Sequence, residues 1–326
     1  MVKKSFTLIE AIFVIVILAF VLVGGFQIVG KLYVRNYIAK ETSKFEFNSQ
    51  QILDQTSGLL DHRIPLSVIG YDTSDNFKYI GYITDDEAGV YKIIEWIGEL
   101  SDAKVNTNLS GFIDLYASKK PTLKAVDFNS SFINDVLKNK YDNQNADITN
   151  SSAIIFAGSF DRGDEGVLSD YNNSFGWYGN RADYIYKISS YSQNANTCDL
   201  NITNYDGSDV GDIKIYEKFY LIDSAYAIAR GEDVDLSAEC IQNLGIPADE
   251  INSTLLLFYN FRPWEGKTFC ADKNTNVQKD GNVSVLGMNV SSFYIRKVGE
   301  HLELRISLKK QKADINITVS KQKVAF

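Results

Sequence analysis

The sequence predicts an α+β protein: a long N-terminal helix, half transmembrane and half amphipathic, packed on an antiparallel β-sheet head with a long insertion. Three observations carry this. Between Glu10 and Lys31 twenty residues hold no charge. After them Ile38, Phe45, Ile52 and Leu59 recur at every seventh position, the period of one helix face. From Ile64-Pro65 onward, aromatic and β-branched runs bounded by Gly, Asn and Asp replace that pattern.

Composition agrees with a folded chain. The 326 residues are 45% apolar and 13% aromatic with only four prolines, enough for one large or two small cores beyond the N-terminal segment. A net charge of −8 argues against a nucleic-acid partner for the head, with the basic stretches KKQK (309–312) and KQK (321–323) as a weak exception or, more simply, solvated faces.

As a helix, the twenty uncharged residues span roughly 30 Å, the thickness of a bilayer hydrocarbon core. The segment is nearly as long as a spanning helix and lacks a small-residue cleavage site after it, which disfavours a conventional signal peptide. Lys3 and Lys4 precede it and Lys31 and Arg35 follow it, so charge counting does not orient it; the short leader and long downstream part place the head outside. Glu10 sits just inside this apolar run. A carboxylate there is held either at the headgroup level, where the helix dipole favours it, or by a functional partner.

The stretch KKSFTLIE, followed at once by AIFVIVILAFVLVGGF, resembles the class III leader of type IV pilins and type II secretion pseudopilins. The resemblance implies that residues 1–5 form a leader removed by a prepilin peptidase, with the cut between Ser5 and Phe6 and N-methylation at Phe6. Ser5 stands where the family most often has glycine. Glu10 becomes the fifth mature residue, whose carboxylate pairs with the amino terminus of a neighbouring subunit as helices stack into a filament. A buried charge is penalised alone, and its pairing also fixes axial register. The resemblance is strong over residues 3–30 and only architectural beyond.

Residues 6–30 are thus expected to be the transmembrane helix, 31–60 an amphipathic extramembrane helix and 61–326 a β-rich, pilin-like head. Gly24 and Gly25 mark either a bend or a point of close helix packing. Leu53, Leu60, Ser49 and Thr56 share the stripe of Phe45 and Ile52, and a single stripe of this length suits packing on a sheet. Strands are expected at 77–84, 90–97, 153–158, 183–190, 213–222, 224–230 and 254–261. The stretches 283–297, 302–308 and 315–321 read as an antiparallel meander. Residues 101–150, rich in Asn, read as a long insertion with a short helix, the kind of segment that carries recognition surfaces.

Little chemistry is visible. Cys198, Cys240 and Cys270 fit no zinc spacing; in an oxidising compartment Cys240 and Cys270, flanking short strand-like segments, are the preferred disulfide, and three reduced buried cysteines are the alternative. His62 and His301 stand apart, as surface residues. GKT (266–268) lacks the preceding P-loop glycine, its place being Phe261. Two acidic loops, with Asp161, Asp164 and Glu165 in one and Asp206, Asp209 and Asp212 in the other, offer oxygen ligands for calcium but no EF-hand order; solvated turns are the default. Asp85-Asp86-Glu87 reads as a turn.

The sequence therefore points to a non-catalytic, cofactor-free subunit. The resemblance implies a minor pilin or pseudopilin that primes or caps a type IV pilus or type II secretion pseudopilus. Head size favours a minor component, and retained Glu10 favours a J-type or W-type subunit over the K-type. Its implied partners are the prepilin peptidase, other subunits through the N-terminal helix and the inner-membrane assembly platform. Its implied location is the inner membrane, single-pass, with the head in the periplasm or extracellular space. A membrane-anchored sensor or adhesin with an uncleaved anchor is the alternative.

Overall fold

The computed structural model describes residues 8–74, 76–84, 86, 87, 89–160, 166–211, 213–312 and 315–325. One helix, α1 (Leu8–Leu60), runs unbroken for 53 residues, about 80 Å. It passes through Gly24 and Gly25 without interruption, and among the described residues nothing beyond the helix's own neighbouring backbone lies within 4 Å of where a Cβ would stand at either. Burial divides it. Phe45, Ser49, Ile52, Leu53, Thr56, Ser57 and Leu60 are buried, whereas Ile38 is 37% exposed, so the docked stripe starts one heptad later than the spacing implies.

The remaining chain forms β1 (Ile69–Tyr71), β2 (Phe77–Tyr79), β3 (Ile93–Glu99), β4 (Leu109–Ile113) and β5 (Thr122–Phe128), then helix α2 (Ser130–Tyr141). There follow β6 (Ala153–Phe156), β7 (Ile185–Asn194), β8 (Thr197–Asn204), β9 (Phe219–Arg230), β10 (Leu255–Phe261), β11 (Lys267–Phe269), β12 (Gln278–Asp280) and β13 (Asn282–Gly287). The chain closes with β14 (Val290–Val298), β15 (His301–Lys312) and β16 (Ile315–Ala325). An antiparallel sheet runs β2-β1-β3-β9-β6-β7-β8-β5-β4, and β10 branches from β9 carrying β13. β11 and β12 form a small parallel pair, and β14-β15-β16 a separate antiparallel sheet.

The branch lies within β9. Residues 219–222 pair with β6 and residues 225–230 with β10, while β3 follows the opposite edge. Asp223 and Ser224, both buried, occupy the fork. The sheet has a core on each face: Ile154 and Leu221 join the core around α2, and their neighbours Ile155 and Ile222 the core beneath α1 and β3. Burial on both faces explains why these strands read as continuous apolar runs. Within the α2 core, Ile133 and Leu137 are buried, and Asn129 caps the helix by accepting from the Phe132 amide at 3.1 Å.

Several boundaries differ from the sequence reading. The 77–84 run is a strand only to Tyr79, then a 3₁₀ turn over Ile80–Tyr82. The segments 213–222 and 224–230 are not two strands: pairing begins at Phe219 and continues to Arg230. The run 283–297 is split between sheets, β13 joining β10 and β14 joining β15, with Asn289 at φ +61° in the corner. Residues 101–150 hold the short helix, but β4 and β5 make them part of the main sheet. The hairpin partner β8, with polar residues at alternate positions, falls outside the apolar runs that mark strands in the sequence.

Candidate functional site

The chemistry of α1 follows from its two halves. From Leu8 to Val34 large apolar side chains face outward all round the helix: Leu8 is 81% exposed, Phe26 73% and Tyr33 75%. A helix apolar on every side buries nothing by itself and belongs in lipid or among other helices. It is the one helix among the described residues long and apolar enough to cross a membrane. Glu10 stands in its first turn. Ser5 and Phe6 lie outside the described residues.

The C-terminal half of α1 rests on β15 and β16. Gly287 at the end of β13 lets it approach closely, since a Cβ there would stand 2.4 Å from Ile52 Cδ1. Around this apolar seam lysines of the two basic stretches bind the helix. Lys310 reaches Glu41 at 2.9 Å, Lys321 donates to the Glu46 carbonyl at 3.0 Å, Lys323 meets Asp54 at 2.8 Å and Lys312 lies 5.1 Å above the Tyr37 ring. The Lys310 hydrogen bond holds the Glu41 carboxyl below its usual range, and Lys323 does the same for Asp54. These lysines are therefore engaged by the helix rather than arrayed for a polyanion.

The other candidate residues do not converge. Asp161, Asp164, Glu165 and Asp212 lie outside the described residues. Asp206 accepts from the Ser208 amide at 2.8 Å and its hydroxyl at 2.6 Å, which lowers its pKa; it caps its own turn. Asp209 contributes a carbonyl to Asn204 Nδ2 at 2.9 Å. Asp206 also borders a cleft of about 560 Å³ with Arg181, Asp183, Tyr205, Trp264 and Glu265, where Arg181 pairs with Asp183 at 3.0 Å. Among the described residues no group of three or more His, Cys, Asp or Glu side chains is placed to hold a metal. Glu87 pairs with Lys78 at 2.8 Å in its turn, and His62 and His301 are exposed. Cys240 and Cys270 are joined, with Cα atoms 6.5 Å apart, and Cys198 is a buried thiol that burial pushes up to about 11.

Two polar clusters escaped the sequence reading. At the fork, Asp223 binds Lys140 at 2.6 Å and Tyr141 Oη at 3.1 Å, while its carbonyl accepts from Arg262 Nε at 3.0 Å. This ties α2 to the branch of the sheet. The second cluster centres on Glu95, fully buried in β3: Tyr178 donates to Oε1, and Oε2 has no hydrogen-bond partner among the described residues. Tyr178 stacks at 4.2 Å on Tyr71, whose hydroxyl reaches buried Asp272 at 3.3 Å. Burial raises the Glu95 carboxyl well above its ordinary range and raises Asp272 as well. The signal was there: an acidic residue inside the apolar runs IIEWI and LIDSA must find a buried partner. Compared with known proteins, the chain matches no family model, no curated protein and no solved structure.

Proposed function

We propose that this chain is a minor subunit of a type IV pilus or type II secretion pseudopilus, resembling the J-type or W-type subunits, that primes or caps the filament. The observation that carries the reading is the division of α1: an exposed apolar half led by KKSFTLIE, continuous with a half docked on a β head. Before assembly the apolar half lies in the inner membrane and the head outside it; afterwards neighbouring helices replace lipid around it. Glu10, five residues from the expected cut, pairs with the new amino terminus of a neighbour. The pilin-like fold and the partners, prepilin peptidase and assembly platform, belong to the same reading.

Mass spectrometry of the N-terminal peptide from native membranes tests it, with a methylated Phe6 start expected. A start at Met1 or Val2 would favour an anchored sensor or adhesin instead. Glu10→Val should leave cleavage intact and lower incorporation into filaments about tenfold or more, the scale of one lost buried pairing. Undiminished incorporation would refute the role of Glu10.

A further inference from the structure

The head is dense in Asn-x-Ser/Thr triplets. Nine occur, all between Asn108 and Thr318, and in six of them an acidic residue stands two places before the asparagine. The six read DFNSS, DYNNS, DLNIT, EINST, DGNVS and DINIT, around Asn129, Asn172, Asn201, Asn252, Asn282 and Asn316. With this composition chance would supply about three triplets and about 0.4 with the preceding acid, so the pattern calls for a physical reason. Asn-x-Ser/Thr is the acceptor of N-linked oligosaccharide on the outer face of a membrane. An acid at this fixed offset sets a negative charge beside the acceptor, which a complementary cationic group of a transferase can bind.

The fold sorts these acceptors. The Asn201 side chain is held in mid-strand between Thr122 and Ser190. Asn129 caps α2. Asn172 and Asn252 are exposed, but the hydroxyl residues of their triplets, Ser174 and Thr254, are fully buried, with Ser174 donating to the Val167 carbonyl and Thr254 to that of Glu250. Asn282 and Asn316 differ. Each is exposed, each begins or nearly begins its strand, and Ser284 and Thr318 are not buried. Among the described residues β13 pairs only with β10 and β16 only with β15, so both asparagines lie on strands with one edge unpaired by those residues, where local opening is easiest. Along β16 the exposed positions are 316, 318, 320, 322 and 324, and the intervening ones face α1 or its flanks.

We infer that the head is N-glycosylated at Asn282 and Asn316, by transfer from a polyprenyl diphosphate-linked oligosaccharide. The sugar C1–O bond to the diphosphate breaks and a C1–Nδ2 bond forms. The amide loses one proton to a base of the transferase, and the polyprenyl diphosphate leaves. A hydrated glycan at these positions also covers two open strand edges that would otherwise invite pairing with another chain. The inference rests on the reading that places the head outside the membrane.

Peptide mass spectrometry of the full chain from its native membranes tests it. Tryptic peptides 280–296 and 313–321 should each carry the same saccharide mass. Asn282→Gln and Asn316→Gln should each remove one step of gel retardation, and both together two. Asp280→Ala and Asp314→Ala, which keep the asparagines, should remove the same modification, as a folding defect would not. Recovery of both peptides unmodified overturns the inference. The N-terminal peptide of the same sample separates the two readings: unmodified head peptides with a Phe6 start leave the filament assignment standing, and saccharide with an uncleaved start leaves the glycan standing.

Discussion

Glu95 shows how one residue of β3 can set a pH response. Its folded carboxyl keeps its proton above the ordinary value of 4.5, because burial disfavours the charge and Asp272 adds repulsion. The stability this group contributes is fully present below that value and is lost as pH rises towards the folded pKa. Glu95→Gln, close in shape and always neutral, has no such dependence. Its thermal midpoint should therefore gain on the parent's from about pH 5 to about pH 8. A constant difference across that range would mean that Glu95 does not change its protonation on unfolding. The ion-paired carboxylates oppose this trend: Glu41, Glu303 and Glu87, the last lowered to about 2, lose their pairing as pH falls. Glu95 was visible in the sequence as an acid in an apolar run; its partners Tyr178 and Asp272 were not, since they lie 83 and 177 positions away.

At the scale of elements, the seam between α1 and the sheets depends on Gly287. A methyl group there meets Ile52 Cδ1 at 2.4 Å, so Gly287→Ala should cost about 1–3 kcal/mol of stability through overpacking. Ile52→Val removes that δ-methyl. The double variant should therefore be more stable than the sum of the single changes predicts, and strict additivity in a denaturant-melt cycle would argue against direct contact. The helix stripe was legible because its period is local; the role of Gly287 was not, because a glycine in a strand does not announce what approaches it. The same limit explains the boundaries. The break at Tyr79 and the split at Met288 follow from which strand pairs with which sheet, and the runs themselves are uniformly β-prone.

For the whole molecule, two consequences follow. The Cys240–Cys270 bridge closes a loop of 30 residues that contains all of β10 and β11, so removing it by paired alanine substitution should lower stability by about 3–4 kcal/mol in guanidinium melts. An unchanged midpoint would show that the bridge does not constrain the unfolded chain. Residues 8–34 contribute no buried side chain, so a chain starting at Lys31 should keep the thermal midpoint of the full chain and no longer need detergent. Loss of the cooperative transition would place part of the core in that segment. The sequence by itself determined the membrane-length apolar helix, its amphipathic continuation and the β character of the head, because each rests on composition and short-range period. The tertiary structure decided the forked sheet, the separate sheet under α1, the lysines that grip the helix and the buried acids. Each of these joins residues distant along the chain, and only long-range packing specifies such pairings.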